Sequence, residues 1–441
     1  MLTRRRVLLG LLLLVVVAVV GGYWYERPLL LTATGYAAHN ACAVDHLSGR
    51  SDPEADLPAN PLVPVLRTAE GDDATTKGSI LGVLAAQRAV FTEGFGCSLA
   101  DARPELPAAV EIAGDANPFA DAPVPLMSAE VEAAVAEAFG DGLDPSAEAE
   151  LGTRAVVAVR GGELVAERYA DGFDAQTPQL GWSMSKSLTN LLVGRLVAEG
   201  RIALDDDHLR PEWTDQRSEI TVDQLMRMTS GLEWDETYDL GTAITRMLYL
   251  EPDMADFVAS QPFAHDPGTY QQYSSGSTTL LCDILLERTG SDANLPRSDV
   301  FAPLGMSSAV LEPDASGTPV CSSYLWATPR DWAALGQLAL QDGEWAGEQL
   351  LPAGWMAQST TALDVQTEDP GYGSGWWVNQ LPGGTLAHPE LPADAYFAQG
   401  HDGQWIVVVP SAELVVVRLG FSPEVDDEGV IALAAQVIAA G

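Results

Sequence analysis

The chain has 441 residues, enough for two domains or for one large domain with an elaboration. Hydrophobic residues make up 47% and charged residues 19%, which excludes a mainly disordered, collagen-like or coiled-coil protein and supplies a sizeable core. With 62 acidic against 23 basic residues the formal net charge is −39, so the surface repels phosphate backbones and no nucleic-acid partner is expected.

Met1-Leu2-Thr3-Arg4-Arg5-Arg6 opens the chain, and no charge follows between Val7 and Tyr25. A basic stretch before an apolar one is an export signal. Its length suits either a cleaved signal or a single spanning helix, with Tyr23-Trp24-Tyr25 as an interfacial band and the arginines on the cytoplasmic side. Residues 1–25 are therefore read as a membrane anchor or signal segment. The expected location is the cell envelope, with the remaining chain outside the cytoplasm, anchored or released by cleavage. That compartment permits disulfides among Cys42, Cys97, Cys282 and Cys321. A Cys42–Cys97 bridge is expected and would contribute on the order of 4 kcal/mol. Cys282 is left open between a buried thiol and a partner for Cys321. None of the four has the spacing of a metal site, and no metal or organic cofactor is expected.

Residues 26–123 carry few periodic runs and read as an irregular amino-terminal extension. The main domain, 124–441, begins after Pro118, Pro123 and Pro125. Ser128 is placed to cap a helix over 129–139, and strands at 153–160 and 163–170 flank a Gly161-Gly162 turn. Residues 183–199 form an apolar-faced helix stopped by Gly200, and 205–345 is mainly helical. Strands are expected at 372–379, 395–409 and 414–420, then a helix over 428–440. The pattern is that of an α+β fold. Its antiparallel sheet is flanked by helices, with a mainly helical insertion between its N- and C-terminal strands.

Three segments carry chemistry. In Gly181-Trp182-Ser183-Met184-Ser185-Lys186-Ser187, Ser183 and Lys186 lie three residues apart at the start of a helix, on one face. A serine hydroxyl needs a neighbouring base, and a desolvated lysine can serve. Only two lysines occur, Lys77 and Lys186, so an arginine-rich chain keeps lysine where a deprotonatable amine is wanted. In Asp266-Pro267-Gly268-Thr269-Tyr270-Gln271-Gln272-Tyr273-Ser274-Ser275-Gly276, Tyr273 follows a turn and precedes a helix, a position suited to proton relay. Gln399-Gly400-His401-Asp402-Gly403-Gln404 runs into the strand Trp405–Val409 and offers backbone amides to an oxyanion.

In this order and spacing, the three segments resemble the serine β-lactamase and penicillin-binding superfamily. The resemblance is to the class C-like group of esterases, D-amino-acid peptidases and 6-aminohexanoate-dimer hydrolases, and it spans roughly 125–440. Ile220–Leu225, Met228–Leu232 and Tyr324–Trp332 add to it. The resemblance implies a β-lactamase-like fold and an acyl-enzyme on Ser183. It makes Lys186 the base, Tyr273 the proton relay, and the amides of Ser183 and Gln404 the oxyanion pocket. Ser275, His401, Gly403 and Gln404 are the implied substrate contacts. Tyr-x-Ser stands where β-lactamases carry Tyr-x-Asn, and His401 where they carry the Lys of Lys-Thr-Gly. Both departures favour an esterase or amidase acting on a small ester, amide or short peptide over an efficient β-lactamase.

Two other readings compete. An α/β-hydrolase would use Ser183 in a near-elbow with His401 as base, but needs repeated parallel βα units. A non-catalytic envelope protein would use the same cleft to bind a peptide or cell-wall ligand.

Overall fold

The computed structural model describes residues 2–58, 60–423 and 428–441. Its first element, α1 (Leu2–His46), runs far beyond the apolar stretch from which it was expected. It is the one helix, among the described residues, long and apolar enough to cross a membrane. Pro28 lies inside it, and the Pro28 carbonyl accepts the Thr32 hydroxyl at 3.1 Å. From Ala33 onward the helix changes surroundings: Ala37, Ala38, Ala41, Cys42 and Val44 are all buried.

What they are buried against corrects the reading of 26–123 as irregular. Four strands, β1 (Leu66–Glu70), β2 (Thr75–Ile80), β3 (Leu84–Thr92) and β4 (Gly96–Leu99), form an antiparallel sheet in sequential order. The strands mix small and polar residues with scattered Leu, Ile, Val and Phe, so no run of large apolar residues advertises them. Burial comes instead from close approach to α1. A Cβ on Gly78 would lie 2.2 Å from the Thr34 carbonyl oxygen. The expected Cys42–Cys97 disulfide joins helix and sheet. Fully buried Glu312 then docks this unit on the rest of the chain: it accepts the Cys97 amide (2.6 Å) and the Trp326 indole (2.9 Å) and faces His39 (3.1 Å).

Beyond the proline-marked boundary, Ser128 accepts the Val131 amide and starts α2 (Ala129–Ala138). The hairpin follows as expected: β5 (Thr153–Arg160) and β6 (Glu163–Tyr169). Next come the helices α3 (Ser185–Ala198), α4 (Ser275–Thr289) and α5 (Pro329–Leu340). The closing strands are β7 (Trp377–Val378), β8 (Tyr396–Gly400), β9 (Gln404–Val409) and β10 (Leu414–Gly420), with α6 (Glu428–Ala439) last. The strand expected at 372–379 is thus two residues long. The one expected at 395–409 is a hairpin, because Asp402 (φ +59°) and Gly403 (φ +83°) turn the chain back on itself.

These strands make one antiparallel sheet in the order β7-β8-β9-β10-β5-β6, so the first hairpin is inserted beside the last strand. Period-two alternation divides its side chains between two cores. Ala155, Val157 and Val159 face the layer containing α3, α4 and α5, while Val156 and Ala158 face α2 and α6. Such an antiparallel sheet, interrupted by a helical insertion, is the α+β arrangement expected, and it leaves no place for repeated parallel βα units. Cys282 and Cys321, whose pairing the sequence left open, form a second disulfide within the helical layer.

Candidate active site

The nucleophile candidate sits on a turn that glycine makes possible. A Cβ at Gly181 would meet the Trp332 ring at 2.2 Å, and the Gly181 amide is pinned to the Leu325 carbonyl at 2.9 Å. Trp182 then adopts φ +47°, an unfavourable backbone for a bulky residue. A short 3-10 turn, Trp182–Met184, carries Ser183 into α3. The Ser185 hydroxyl locks this turn, donating to the Trp182 carbonyl (2.7 Å) and accepting the Leu325 amide (3.2 Å).

One turn on, Lys186 is buried at 2% exposure. Its Nζ lies 2.9 Å from Ser183 Oγ, 2.8 Å from Ser275 Oγ and 3.2 Å from the Ser322 carbonyl oxygen. Burial lowers its pKa to about 8, against the opposing pull of Glu236. Roughly a tenth of the amine is therefore neutral at pH 7, far more than for an exposed lysine. The Tyr273 ring lies over the amine, with Nζ 4.7 Å from its centroid. Burial, then Tyr372 and Glu236, push the Tyr273 phenol well above its ordinary range, and a hydrogen bond with Ser183 works the other way. Tyr273 is thus a neutral phenol beside Ser183, stacked on Trp377 (5.4 Å) and edge-on to Tyr372 (5.2 Å).

Ser275, expected among the substrate contacts, is fully buried and belongs to this cluster. Its hydroxyl receives Lys186 and donates to Glu236 Oε1 in a short hydrogen bond, while its amide donates to Glu236 Oε2 at 2.9 Å. Glu236 was not singled out from the sequence. It stands in a loop, Trp234-Asp235-Glu236-Thr237-Tyr238, and its partners come from a distant helix. The one local signal is Trp234, whose indole donates to Glu236 Oε2 at 2.5 Å and whose ring fills the space a Cβ on Gly276 would need.

The strand side is arranged differently. His401 stacks on Tyr238 (4.2 Å between ring centroids) and meets Trp182 edge-on (5.7 Å), so it flanks the nucleophile's turn. Gly403 and Gln404 make polar contacts with the neighbouring strand β10. The Gly403 carbonyl accepts Arg418 at 2.6 Å, and the buried Gln404 side chain brackets Gly420, donating to its carbonyl (2.6 Å) and accepting its amide (3.1 Å). The residue that closes on the nucleophile's turn is Gly400, where a Cβ would lie 2.1 Å from the Gly181 carbonyl oxygen. Strand β7 covers β8 only as far as Phe397, which leaves the Ala398–Gly400 edge without a strand on that side.

The comparisons agree with this architecture. The Beta-lactamase family profile matches residues 138–437, and the chain belongs to that family. The 6-aminohexanoate-dimer hydrolase of Paenarthrobacter ureafaciens is 25% identical over 308 residues, 63% of this chain and 74% of that protein. A penicillin-binding protein homologue from Caulobacter crescentus superimposes with a TM-score of 0.55 at 19% identity, covering 72% of this chain and 99% of the other. A family VIII carboxylesterase does so with a TM-score of 0.54 at 18% identity, covering 71% and 98%.

Proposed function

We propose that this protein is an extracytoplasmic serine hydrolase that cleaves an ester or amide through an acyl-enzyme on Ser183. The observation that carries the reading is the buried Lys186 amine, 2.9 Å from Ser183 Oγ, with a pKa lowered to about 8. Neutral Lys186 takes the Ser183 proton as Oγ attacks the carbonyl carbon. The Ser183 amide and the open β8 edge at Gly400 stabilise the resulting oxyanion. Tyr273, kept as a neutral phenol, passes a proton to the leaving oxygen or nitrogen and recovers one from the lysinium. Water then attacks the acyl-enzyme by the reverse relay and frees Ser183 with release of the acid. No step requires a metal or organic cofactor.

Esters and simple amides are preferred over β-lactams in this reading. Ser275 faces Lys186 and Glu236 and presents no side-chain amide to a substrate, and His401 is stacked on Tyr238 where β-lactamases carry a lysine. A relative named for an amide substrate and a fold-mate named as a carboxylesterase support the same choice.

The test is to treat the detergent-solubilised full-length protein with a fluorophosphonate and locate the adduct by peptide mass spectrometry. An adduct on Ser183 that is lost in Lys186→Ala is expected. A folded protein labelled elsewhere, or not at all, would overturn the reading.

A further inference from the structure

The hairpin joining β2 and β3 has an unusual tip. Leu81 and Gly82 both adopt positive φ (+52° and +82°), and the Val83 amide donates to the Ile80 carbonyl at 3.2 Å. A turn of that shape favours Asn, Asp or Gly at its first central position. Here the position is held by leucine, at a cost in backbone energy, and the side chain is not repaid by burial. Leu81 is 59% exposed, Val83 75% and Leu84 40%. Three neighbouring apolar side chains on one exposed tip are a contact surface in want of an apolar partner.

The surroundings name that partner. Strand β3 runs along α1 away from its apolar half, so the hairpin tip lies at the end nearer that half: Gln87 donates to the Leu31 carbonyl (3.1 Å), the Ala85 amide donates to the Tyr23 hydroxyl (3.1 Å), and Phe91 stacks on His46. The tip therefore lies beside Tyr23-Trp24-Tyr25, where the exposed helix Leu8–Val20 ends and where aromatic residues gather at a bilayer surface. On the inner side of the same unit is a cavity of about 200 Å³, walled largely by Ala33, Leu57, Val63 and Leu66, with Asn60 and Asp239 as polar points in its lining. Its inner end is formed by Trp182, Tyr238 and His401, one side chain away from Ser183 and Ser275. Tyr36, which stacks on Trp182, is eleven residues beyond Tyr25, about 16 Å at the ~1.5 Å rise of a helix.

We infer that the hairpin tip is a second membrane contact and that the catalytic cleft is fed from the bilayer. Leu81, Val83 and Leu84 seat in the interface beside α1. The adjoining cavity takes the hydrocarbon chain of an amphiphilic ester or amide drawn from the membrane. This rests on the acyl-enzyme reading of Ser183 and on an α1 retained in the mature chain.

The full-length protein reconstituted in phosphatidylcholine–phosphatidylglycerol vesicles tests it with two readouts. Among the described residues all cysteines are paired, so Val83→Cys gives one labelling site for an environment-sensitive fluorophore. Blue-shifted emission, quenched by lipids spin-labelled near the headgroup, is expected. Emission as in water, quenched by iodide, would overturn the membrane contact. In the second readout, Leu81→Asp/Val83→Asp lowers hydrolysis of a vesicle-borne dodecanoyl ester roughly tenfold while an acetyl ester is cleaved as before. Aspartate suits the turn, so folding is preserved. Equal rates on both esters, or an equal loss on both, would overturn the inference. Ser183→Ala separates the two readings: it abolishes both hydrolyses if the nucleophile is right and leaves the fluorophore signal untouched in either case.

Discussion

The two walls of the cleft were not equally legible. On the helical wall, Ser183 and Lys186 meet because three residues along a helix always bring side chains to one face. On the strand wall the same kind of motif reading marks a hairpin without saying which of its residues closes on the nucleophile's turn. His401 flanks the site, but Gly403 and Gln404 face Arg418 and Gly420, and Gly400 makes the close approach. Helical spacing fixes a contact, whereas a glycine-rich turn fixes only that a turn exists.

That contrast can be broken by mutation. Lys186→Ala is expected to lower kcat/KM by about 10³-fold or more, since it removes the base for Ser183. Lys186→Arg should do the same, because arginine keeps its proton. In the wild type, kcat/KM for a short ester should rise with pH and level off above about 8, as Lys186 loses its proton. Gly400→Ala forces a Cβ into the Gly181 carbonyl and displaces the nucleophile's turn. A displacement near 1 Å costs roughly 10²-fold in kcat, measurable with KM little changed.

Glu236→Gln should lower kcat about tenfold by loosening Ser275 and Lys186. The carboxylate raises the Lys186 pKa, so its removal moves the rising limb of the pH profile to lower pH. A purely structural role for Glu236 would leave that limb in place. The smallest catalytic effect belongs to Gln404→Ala. It strands the Gly420 amide and carbonyl and should cost about 1–3 kcal/mol in denaturant unfolding, with the folded fraction as active as wild type. A large kcat loss there would give the Gln404 side chain a part at the reacting centre.

Legibility elsewhere followed the same physics. Ser128, the Gly161-Gly162 turn and the valine-rich runs of β5 and β10 could be read because capping, turn and β-propensity signals are local. Glu236 could not, since its role exists only where a loop meets the start of α4. The amino-terminal sheet was missed for a different reason. Its burial is supplied by glycine and alanine packing against α1, and neither residue type announces a core.

The place of β10 in the sheet has a consequence for how the chain comes to be folded. Val417 pairs with Val157, so the two adjoining interior strands β10 and β5 come from opposite ends of the main domain. Until β10 leaves the ribosome, β5 has one open edge. Contacts so distant in sequence make assembly slow and late. A nascent chain of this design cannot complete the sheet until β10 is made, and it depends on protection of the β5 edge in the meantime.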